Sequence, residues 1–264
     1  MLKKSVCWNI TSRCNESCQF CYRLLCNKEN TYEQNQRILK MLIELKVDKI
    51  TWTGGESLLY PFLFELMKEA HDNNIKNNII TNGRALTPEI IDIIEEFTDY
   101  ITFSIDTLND DVNNELGRGR EHTNHIIDLM NYIVANNKKI KLKLNSVVTK
   151  KNIDNIKEVV AVAKKYPFER WKIFKFLSLR GKALENQTEF EVSDEEYEDV
   201  YGEIRKEKVN CPILKCKEEE IQNEYLLVNS VGDFIITING KDELICNLTN
   251  MNFEKIKEIF EEWV

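Results

Sequence analysis

Short β-type segments alternate with longer helical segments over the first two thirds of this 264-residue chain. Six segments rich in β-branched and aromatic residues are predicted strands: 5–10, 49–53, 78–81, 100–105, 140–148 and 170–178. Five segments between them have the apolar periodicity of helices: 32–46, 61–74, 87–97, 121–137 and 152–165. Repeated β-α units with right-handed crossovers form a parallel sheet, so we predict an α/β fold, a partial (β/α)6 TIM-type barrel.

The pattern changes after residue 179. A helix is predicted over 193–207, strands near 225–228 and 233–238, and an amphipathic helix near 252–263. We therefore expect a barrel core over residues 1–179 and a small C-terminal α+β extension over residues 180–264 that covers the barrel.

Composition limits the location and the partners. No segment has the character of a secretory signal or a membrane span, so we expect a soluble, cytoplasmic protein without a membrane partner. The formal net charge of −8 disfavours DNA or RNA as a partner, because phosphate backbones are bound by basic surfaces. A few cations in one pocket can still hold a small anion. In a reducing compartment, the eight cysteines are expected to be metal ligands and free thiols.

Three cysteines follow the first predicted strand in a Cys-x3-Cys-x2-Cys pattern: Cys14, Cys18 and Cys21. Thiolates suit iron, and a loop of this spacing can wrap around one corner of a cubane cluster and leave one iron without a protein ligand. A closed zinc site is the alternative, but it needs a fourth ligand, for which Cys26 is the only near candidate. We therefore predict an iron–sulfur cluster whose open iron is available for chemistry.

Two neighbouring predicted strands alternate between basic and apolar residues. Lys141, Lys143 and Asn145 share one face of the fifth strand, and Arg170 and Lys172 share one face of the sixth. Buried cations are costly without an anionic partner, so we predict that these side chains hold an anion such as a phosphate chain. The alternatives are pairing with internal carboxylates such as Asp106, or extension of the side chains to the barrel rim.

The cysteine motif, with Tyr22 directly after it, resembles that of the radical S-adenosylmethionine (SAM) superfamily. The resemblance implies that Cys14, Cys18 and Cys21 hold a [4Fe-4S] cluster whose open iron is chelated by SAM. It also implies that one electron, from a donor of the flavodoxin or ferredoxin type, splits the sulfonium to give a 5′-deoxyadenosyl radical.

Further segments match positions that bind SAM in this family. Thr53-Gly54-Gly55-Glu56 is similar to the methionine-binding segment, although Ser57 stands where the family often has proline. The glycines permit close backbone approach, and the carboxylate can accept a hydrogen bond from an ammonium group. By the same analogy, Ser104 is expected to contact the ribose or amino-acid part of SAM. Arg118 is expected either to pair with the SAM carboxylate or to lie in a surface turn.

Patches of the chain from about residue 4 to about residue 228 resemble the viperin-like branch of these enzymes. The matching segments are Gly117-Arg-Gly119, Lys143-Leu-Asn-Ser-Val147, Arg170-Trp-Lys-Ile-Phe174 and Tyr225-Leu-Leu-Val228. Members of the branch are nucleoside-triphosphate dehydratases of antiviral defence. In their reaction the adenosyl radical takes the ribose C4′ hydrogen, and loss of the 3′-hydroxyl as water leaves a 3′-deoxy-3′,4′-didehydro nucleotide.

The branch implies roles for five residues. Lys143, Asn145, Arg170 and Lys172 are expected to hold the triphosphate of a nucleoside triphosphate. Tyr225 is expected to deliver a hydrogen atom or proton late in the reaction, because a phenol is a suitable donor. An aromatic residue on a half-buried strand is the alternative interpretation of Tyr225.

Two departures from the branch and two rival functions stay open. Tyr22-Arg23 stands where animal members have Phe-His, and the sequence ends at Glu262-Trp263-Val264 without a basic, glycine-rich tail. A peptide- or small-molecule-modifying enzyme would use Cys211, Cys216 and Cys246 for an auxiliary cluster. A non-catalytic redox sensor would use its cluster only to report oxygen. The sequence does not indicate which nucleobase is bound.

Overall fold

The computed structural model describes residues 5–216, 226–238, 241–250 and 252–263. The strands within these residues are β1 (Ser5–Thr11), β2 (Lys49–Gly54), β3 (Lys76–Thr81), β4 (Tyr100–Ser104), β5 (Lys141–Val148), β6 (Phe168–Lys175), β7 (Ile213–Cys216), β8 (Leu226–Val228), β9 (Asp233–Ile238) and β10 (Lys241–Asn247). The helices are α1 (Tyr32–Glu44), α2 (Leu63–Asp72), α3 (Pro88–Ile94), α4 (Asp110–Leu116), α5 (His122–Ala135), α6 (Val159–Lys165), α7 (Gly181–Glu185), α8 (Gln187–Phe190), α9 (Asp194–Lys206) and α10 (Phe253–Trp263).

The strands form one sheet in the order β10-β9-β8-β1-β2-β3-β4-β5-β6-β7. The pairs from β1 to β6 are all parallel, as expected for repeated β-α units. The predicted α/β fold with six central strands is therefore confirmed. In such a sheet the carboxyl ends of the strands lie at one edge, where loops carry functional residues.

The last third of the chain extends this sheet at both edges. Strand β7 adds in parallel to β6, and β8 adds in parallel to β1. Strands β9 and β10 continue from β8 as an antiparallel pair. The division of the chain at residue 179 stays a prediction.

One face of the sheet is apolar and the other is polar. On the apolar face, Trp8 and Trp52 are fully buried and stack with ring centroids 5.2 Å apart. On the opposite face, the Thr102 hydroxyl donates to Asn78 Oδ1 at 2.8 Å, and Asn78 Nδ2 donates to Thr51 Oγ1 at 3.4 Å. The interior of the partial barrel, here called the lumen, is therefore lined by hydrogen-bonded polar side chains.

Helix boundaries follow from local capping. Thr31 and Gln34 form a capping box at the start of α1, and Ser193 and Glu196 form another at the start of α9. Thr87 caps α3, which has proline at its first position, as its sequence predicts. Among the described helices, none is long and apolar enough to cross a membrane.

Several short elements differ from the sequence-based prediction. Strands β7 and β10 and helices α4, α7 and α8 were not predicted, because they are short and lack a clear apolar periodicity. The predicted helix over 152–165 begins as α6 only at Val159. Its first residues form turns instead, since Asn152 Oδ1 accepts hydrogen bonds from the backbone N and hydroxyl of Thr149.

We predict that Asn77→Ala lowers the free energy of unfolding by about 2–4 kcal/mol. Asn77 is fully buried, its Oδ1 accepts from Trp52 Nε1 at 2.7 Å, and its amide donates to the carbonyls of Met67 and Phe97. Urea unfolding of the metal-free protein measures the change. The control Asn124→Ala, at an exposed position on α5, is not expected to lower stability. Equal stability of the two variants would contradict the prediction.

Candidate functional site

The loop that carries Cys14, Cys18 and Cys21 follows β1 at the carboxyl edge of the sheet. Backbone hydrogen bonds hold it on both sides, and we call residues 12–21 the cysteine loop. On one side, the backbone N of Glu56 donates to the Arg13 carbonyl at 2.8 Å. On the other, the backbone N of Ser17 donates to the Gly117 carbonyl at 3.2 Å. The loop is therefore fixed between the end of β2 and the turn after α4.

Two glycines are required for this close approach. A Cβ added to Gly55 would lie 2.0 Å from the Arg13 carbonyl oxygen, and one added to Gly117 would lie 2.4 Å from the Ser17 carbonyl oxygen. Gly117 also has a φ of +84°, a conformation that favours glycine. Gly55, which is expected to approach a ligand, thus has a further role, since Gly55 and Gly117 together allow the cysteine loop to pack against its neighbours.

Glu56 lies beneath the cysteine loop and is 1% exposed. Its carboxylate accepts hydrogen bonds from the Thr81 hydroxyl at 2.9 Å and from the backbone N of Asn82 at 2.9 Å. Burial nevertheless raises the pKa of Glu56 to about 7. The carboxyl group therefore joins the ends of β2 and β3, and its contact with an ammonium group stays a prediction.

Thr53 and Ser104 lie near the carboxyl ends of β2 and β4, and both are half-buried. The Ser104 carbonyl oxygen is 2.8 Å from His122 Nε2. Since a carbonyl can only accept, this ring nitrogen carries a proton. The backbone of Ser104 is thereby fixed by α5, while the SAM contacts of Thr53 and Ser104 stay predictions.

Arg118 is buried, so the expectation of a surface turn is wrong. Its Nε donates to Asp106 Oδ2 at 2.5 Å, and its Nη1 lies 3.4 Å from Glu16 Oε2. The guanidinium also stands over the Phe20 ring at 5.3 Å from the centroid. Arg118 thus connects the cysteine loop to the loop after β4, and its pairing with the SAM carboxylate stays a prediction.

Glu16 is a site residue that sequence reasoning missed. It lies between Cys14 and Cys18, yet its side chain is only 1% exposed. Oε1 lies 3.0 Å from His122 Nδ1 and 3.7 Å from Arg84 Nε. Burial would raise the pKa of Glu16, but the His122 hydrogen bond and the Arg118 charge outweigh burial and hold it below its ordinary value. A glutamate in a polar loop gives no sequence signal of such burial.

The three cysteines suit an iron–sulfur cluster by the chemistry of their donor set. All three are free thiols, partly accessible, in one short loop. Burial raises the pKa of the Cys18 thiol to about 12, so that bound metal would be needed to hold it as a thiolate. In the part of the chain that is described, no three His, Cys, Asp or Glu side chains converge on a single metal ion. A cluster does not require such convergence, because each thiolate binds a different iron.

The cysteines proposed for an auxiliary cluster lie on separate segments of the last third of the chain. Cys216 is on β7 and Cys246 is on β10, and these strands form opposite edges of the sheet. Cys211 and Cys246 both pack in the main hydrophobic core.

A segment after β6 covers the cysteine loop. The backbone N of Ala183 donates to the Cys21 carbonyl at 3.2 Å, Lys182 Nζ donates to Ser17 Oγ at 2.5 Å, and Asn186 Nδ2 donates to the Gln19 carbonyl at 3.0 Å. Beneath these bonds lies a second, small hydrophobic cluster of buried residues, Phe20, Leu116, Phe176, Ala183 and Phe190. Helices α7 and α8 therefore pack directly on the cysteine loop.

Strand register brings the predicted cations together in the lumen. Lys143 pairs with Arg170, and Asn145 pairs with Lys172, so all four lie on one face of the sheet as predicted. Arg170 Nη1 donates to Asn145 Oδ1 at 3.3 Å. The Lys143 ammonium nitrogen lies 3.2 Å from the Tyr100 ring centroid, and Lys143 is 8% exposed. Lys143 therefore lies inside the lumen and does not extend to the rim.

Lys49 is a further cation that sequence reasoning missed. It begins β2, and its charge acts on both Lys143 and Cys7. Burial, followed by the charges of Arg170 and Lys49, lowers the pKa of Lys143 to about 7. The alternation of Lys49, Thr51 and Thr53 is the signal that places Lys49 on the polar face.

Asp106 has other partners, so the pairing of these cations with Asp106 is wrong, while the charges of Glu169 and Asp99 do act on Lys143. Its Oδ2 accepts from Arg118 Nε at 2.5 Å, and its Oδ1 accepts from the backbone N of Val147 at 2.8 Å. Tyr225, the predicted hydrogen or proton donor, lies outside the described residues, directly before β8.

A family model described as the Radical SAM superfamily matches residues 8–167. Among curated proteins, the chain is 29% identical over 247 residues to an S-adenosylmethionine-dependent nucleotide dehydratase of Flammeovirga pacifica, covering 89% of the chain and 83% of that protein. It is 28% identical over 253 residues to a dehydratase of the same name from Lacinutrix mariniflava, covering 89% of the chain. The chain spans about half, 51%, of that second relative.

Solved structures share the fold at low sequence identity. Streptococcus suis SuiB bound to S-adenosylmethionine superposes with a TM-score of 0.72 at 20% identity, covering 98% of this chain and 65% of SuiB. Native anSMEcpe with bound AdoMet gives 0.71 at 13% identity, covering 98% of this chain and 82% of that one. These similarities support the α/β fold with a mostly parallel sheet.

We predict that replacing any one of Cys14, Cys18 and Cys21 by alanine lowers the iron content after anaerobic reconstitution. The unchanged protein is expected to hold about four irons per chain, as for one four-iron cluster. Each alanine variant is expected to hold less than about one, because a thiolate ligand is lost. Iron assay and visible absorbance measure the loss. Cys211→Ala is the control and should keep the full iron content; about eight irons in the unchanged protein would instead indicate a second cluster.

Proposed function

Because the chain belongs to the radical SAM superfamily, we propose that it is a radical SAM dehydratase that acts on a nucleoside triphosphate. The observation that carries the substrate class is the convergence of Lys143, Arg170, Lys172 and Lys49 in one polar lumen. Several basic side chains that face one polar cavity are suited to bind a polyanion such as a phosphate chain.

Cys14, Cys18 and Cys21 would hold the [4Fe-4S] cluster, and Thr53-Gly54-Gly55-Glu56, Ser104 and Arg118 would line the SAM site. When bound, the cluster and SAM supply a carbon-centred radical that can take a hydrogen atom from an unactivated C–H bond. The protein contributes a fixed cysteine loop and a carboxyl-edge location directly above the lumen. A substrate with its phosphates in the lumen would present its ribose toward this edge.

The proposed reaction removes the ribose C4′ hydrogen atom and releases the 3′-hydroxyl as water. The product is a 3′-deoxy-3′,4′-didehydro nucleotide. The balance requires two electrons and one proton per product. One electron would be consumed in forming the radical from SAM, and the other, with the proton, would complete the departure of the hydroxyl group. An electron donor of the flavodoxin or ferredoxin type would supply both electrons, and Tyr225 is proposed to deliver hydrogen or a proton late in the reaction.

The names of the relatives support the same class of reaction. Proteins from Flammeovirga pacifica and Lacinutrix mariniflava that resemble this chain are called S-adenosylmethionine-dependent nucleotide dehydratases. A product of this kind lacks a 3′-hydroxyl and would terminate a growing viral nucleic acid. We therefore extend the proposal to a role in antiviral defence.

The anaerobically reconstituted protein, reduced with dithionite in the presence of SAM, tests the proposal. We expect 5′-deoxyadenosine and, with at least one of CTP, UTP, GTP and ATP, a nucleotide product lighter by one water in mass spectra. The corresponding monophosphates should react far less, because they cannot span the lumenal cations. A lack of dehydrated product with all four triphosphates would reject the proposal and favour a peptide or another small molecule as substrate.

We expect Arg170→Ala to raise the triphosphate concentration needed for half-maximal turnover by about 10- to 100-fold, because a charge-assisted hydrogen bond worth about 1.5–3 kcal/mol is lost. Slow cleavage of SAM without dehydration should persist, because Arg170 is remote from the cysteine loop in sequence and strand position. Arg37→Ala, at an exposed position on α1, is the matched control and should leave the requirement unchanged. An unchanged requirement in Arg170→Ala would show that the lumen does not bind the phosphates.

The affinity for triphosphate should fall as the pH rises through about 7. The pKa of Lys143 in the free protein is about 7, so its side chain is mostly charged at pH 6 and mostly neutral at pH 8. A bound polyanion favours the charged form of Lys143. Above pH 7 the Lys143 side chain must therefore take up a proton when the polyanion binds, and this weakens the affinity by up to about tenfold per pH unit.

Calorimetry with inorganic tripolyphosphate measures this dependence. Lys143→Arg is the reference, because arginine stays charged throughout this pH range. The titration of tripolyphosphate itself affects both proteins equally, so it cancels in the ratio of the Kd of the unchanged protein to the Kd of Lys143→Arg. A ratio that does not change between pH 6 and pH 8.5 would show that Lys143 does not control the pH dependence.

A further inference from the structure

Asn82, at the end of β3, lies directly beside the first cysteine of the cysteine loop. We propose that Asn82 is a positioning residue that sets the reduction potential of the bound cluster by donating a hydrogen bond to the Cys14 sulfur. The proposal rests on the proposed function only in that Cys14 ligates the cluster.

The geometry fixes the direction of the Asn82 amide. Its Oδ1 accepts from the backbone N of Arg84 at 2.9 Å. A backbone N–H can only donate, so the oxygen cannot exchange places with the nitrogen. The NH2 group therefore faces the cysteine loop, where Nδ2 donates to Asn15 Oδ1 at 2.8 Å and to Cys14 Sγ at 3.8 Å.

The position is also rigid. The backbone N of Asn82 donates to Glu56 Oε2 at 2.9 Å, and Asn82 is 8% exposed. Because both amide hydrogens and the amide oxygen have partners, the side chain cannot rotate without losing several hydrogen bonds. This arrangement meets the requirement for an outer residue that orients a metal ligand.

A hydrogen bond to a ligand sulfur stabilises the more negative, reduced state of a cluster and so raises its potential. The Cys18 sulfur has the opposite environment, since it lies 3.6 Å from Glu16 Oε2. Asn82 therefore supplies a neutral donor on one side of the cysteine loop, while a carboxylate stands on the other. Removal of the donor should make the cluster harder to reduce.

The test is a redox titration of the reconstituted protein with dithionite, followed by electron paramagnetic resonance, without SAM or nucleotide. The measured couple is the one-electron reduction of the cluster. We expect Asn82→Leu to shift the midpoint to a more negative potential and Asn82→Asp to shift it further, because aspartate keeps the shape but replaces the donor by an anionic acceptor. Asn15→Ala is the control, because it removes Asn15 Oδ1, the other acceptor of the Asn82 amide, and leaves the hydrogen bond from Asn82 Nδ2 to Cys14 Sγ.

An unchanged midpoint in Asn82→Leu, with iron content equal to that of the unchanged protein, would overturn the proposal. The proposal would also be overturned if neither Asn82 variant bound iron although both metal-free variants unfolded at the same temperature as the unchanged protein. Asn82 would then be needed to assemble the cluster and not to set its reduction potential. The titration uses no nucleotide, so failure of the dehydration assay would not affect its outcome.

Discussion

The site depends on the buried ionic contact between Glu16 and Arg118. Glu16 belongs to the cysteine loop, and Arg118 is also bound to Asp106, which in turn accepts from the backbone N of Val147 in β5. One chain of charged contacts therefore fixes the cysteine loop to the carboxyl edge of the sheet. Removal of one partner from such a buried pair leaves an uncompensated charge and typically costs about 3–5 kcal/mol. The position of the cysteines is thus determined by residues that do not ligate metal.

Two regions of different charge follow from this arrangement. At the carboxyl edge, Glu16 and Asp106 are paired with Arg118, so neither carboxylate is directed at the lumenal cations. Deeper in the lumen, Lys143 and Arg170 lie side by side on β5 and β6, two residues before the pair Asn145 and Lys172. Two residues of a strand span about 6.5 Å, so the polar groups form a column along the strands below the cysteine loop. The net charge of −8 gives no indication of this internal cationic column.

Periodicity explains which parts were predictable from the sequence. Alternation placed Lys143 and Arg170 on one face, because the side chains of a strand alternate strictly, and parallel pairing then brought them together. The environment of Glu16 was not predictable, since its partners Arg118 and His122 are more than a hundred residues away in the chain and no local pattern indicates its burial. Helices α7 and α8 were missed for a similar reason, because their stability comes from packing on the cysteine loop and not from their own periodicity.

The segment after β6 shows that the barrel strands alone do not complete the site. Lys182, Ala183 and Asn186 all donate to the cysteine loop, and Arg180 pairs with Asp242 on β10 at the far edge of the sheet. The same arginine stands over the Tyr22 ring, directly after Cys21. Contacts from the last third of the chain therefore reach the cysteine loop and connect it to the β10 edge of the sheet. Because a ligand cysteine must be held within a fraction of an ångström to keep its geometry, these contacts belong to the site as much as the strand ends do.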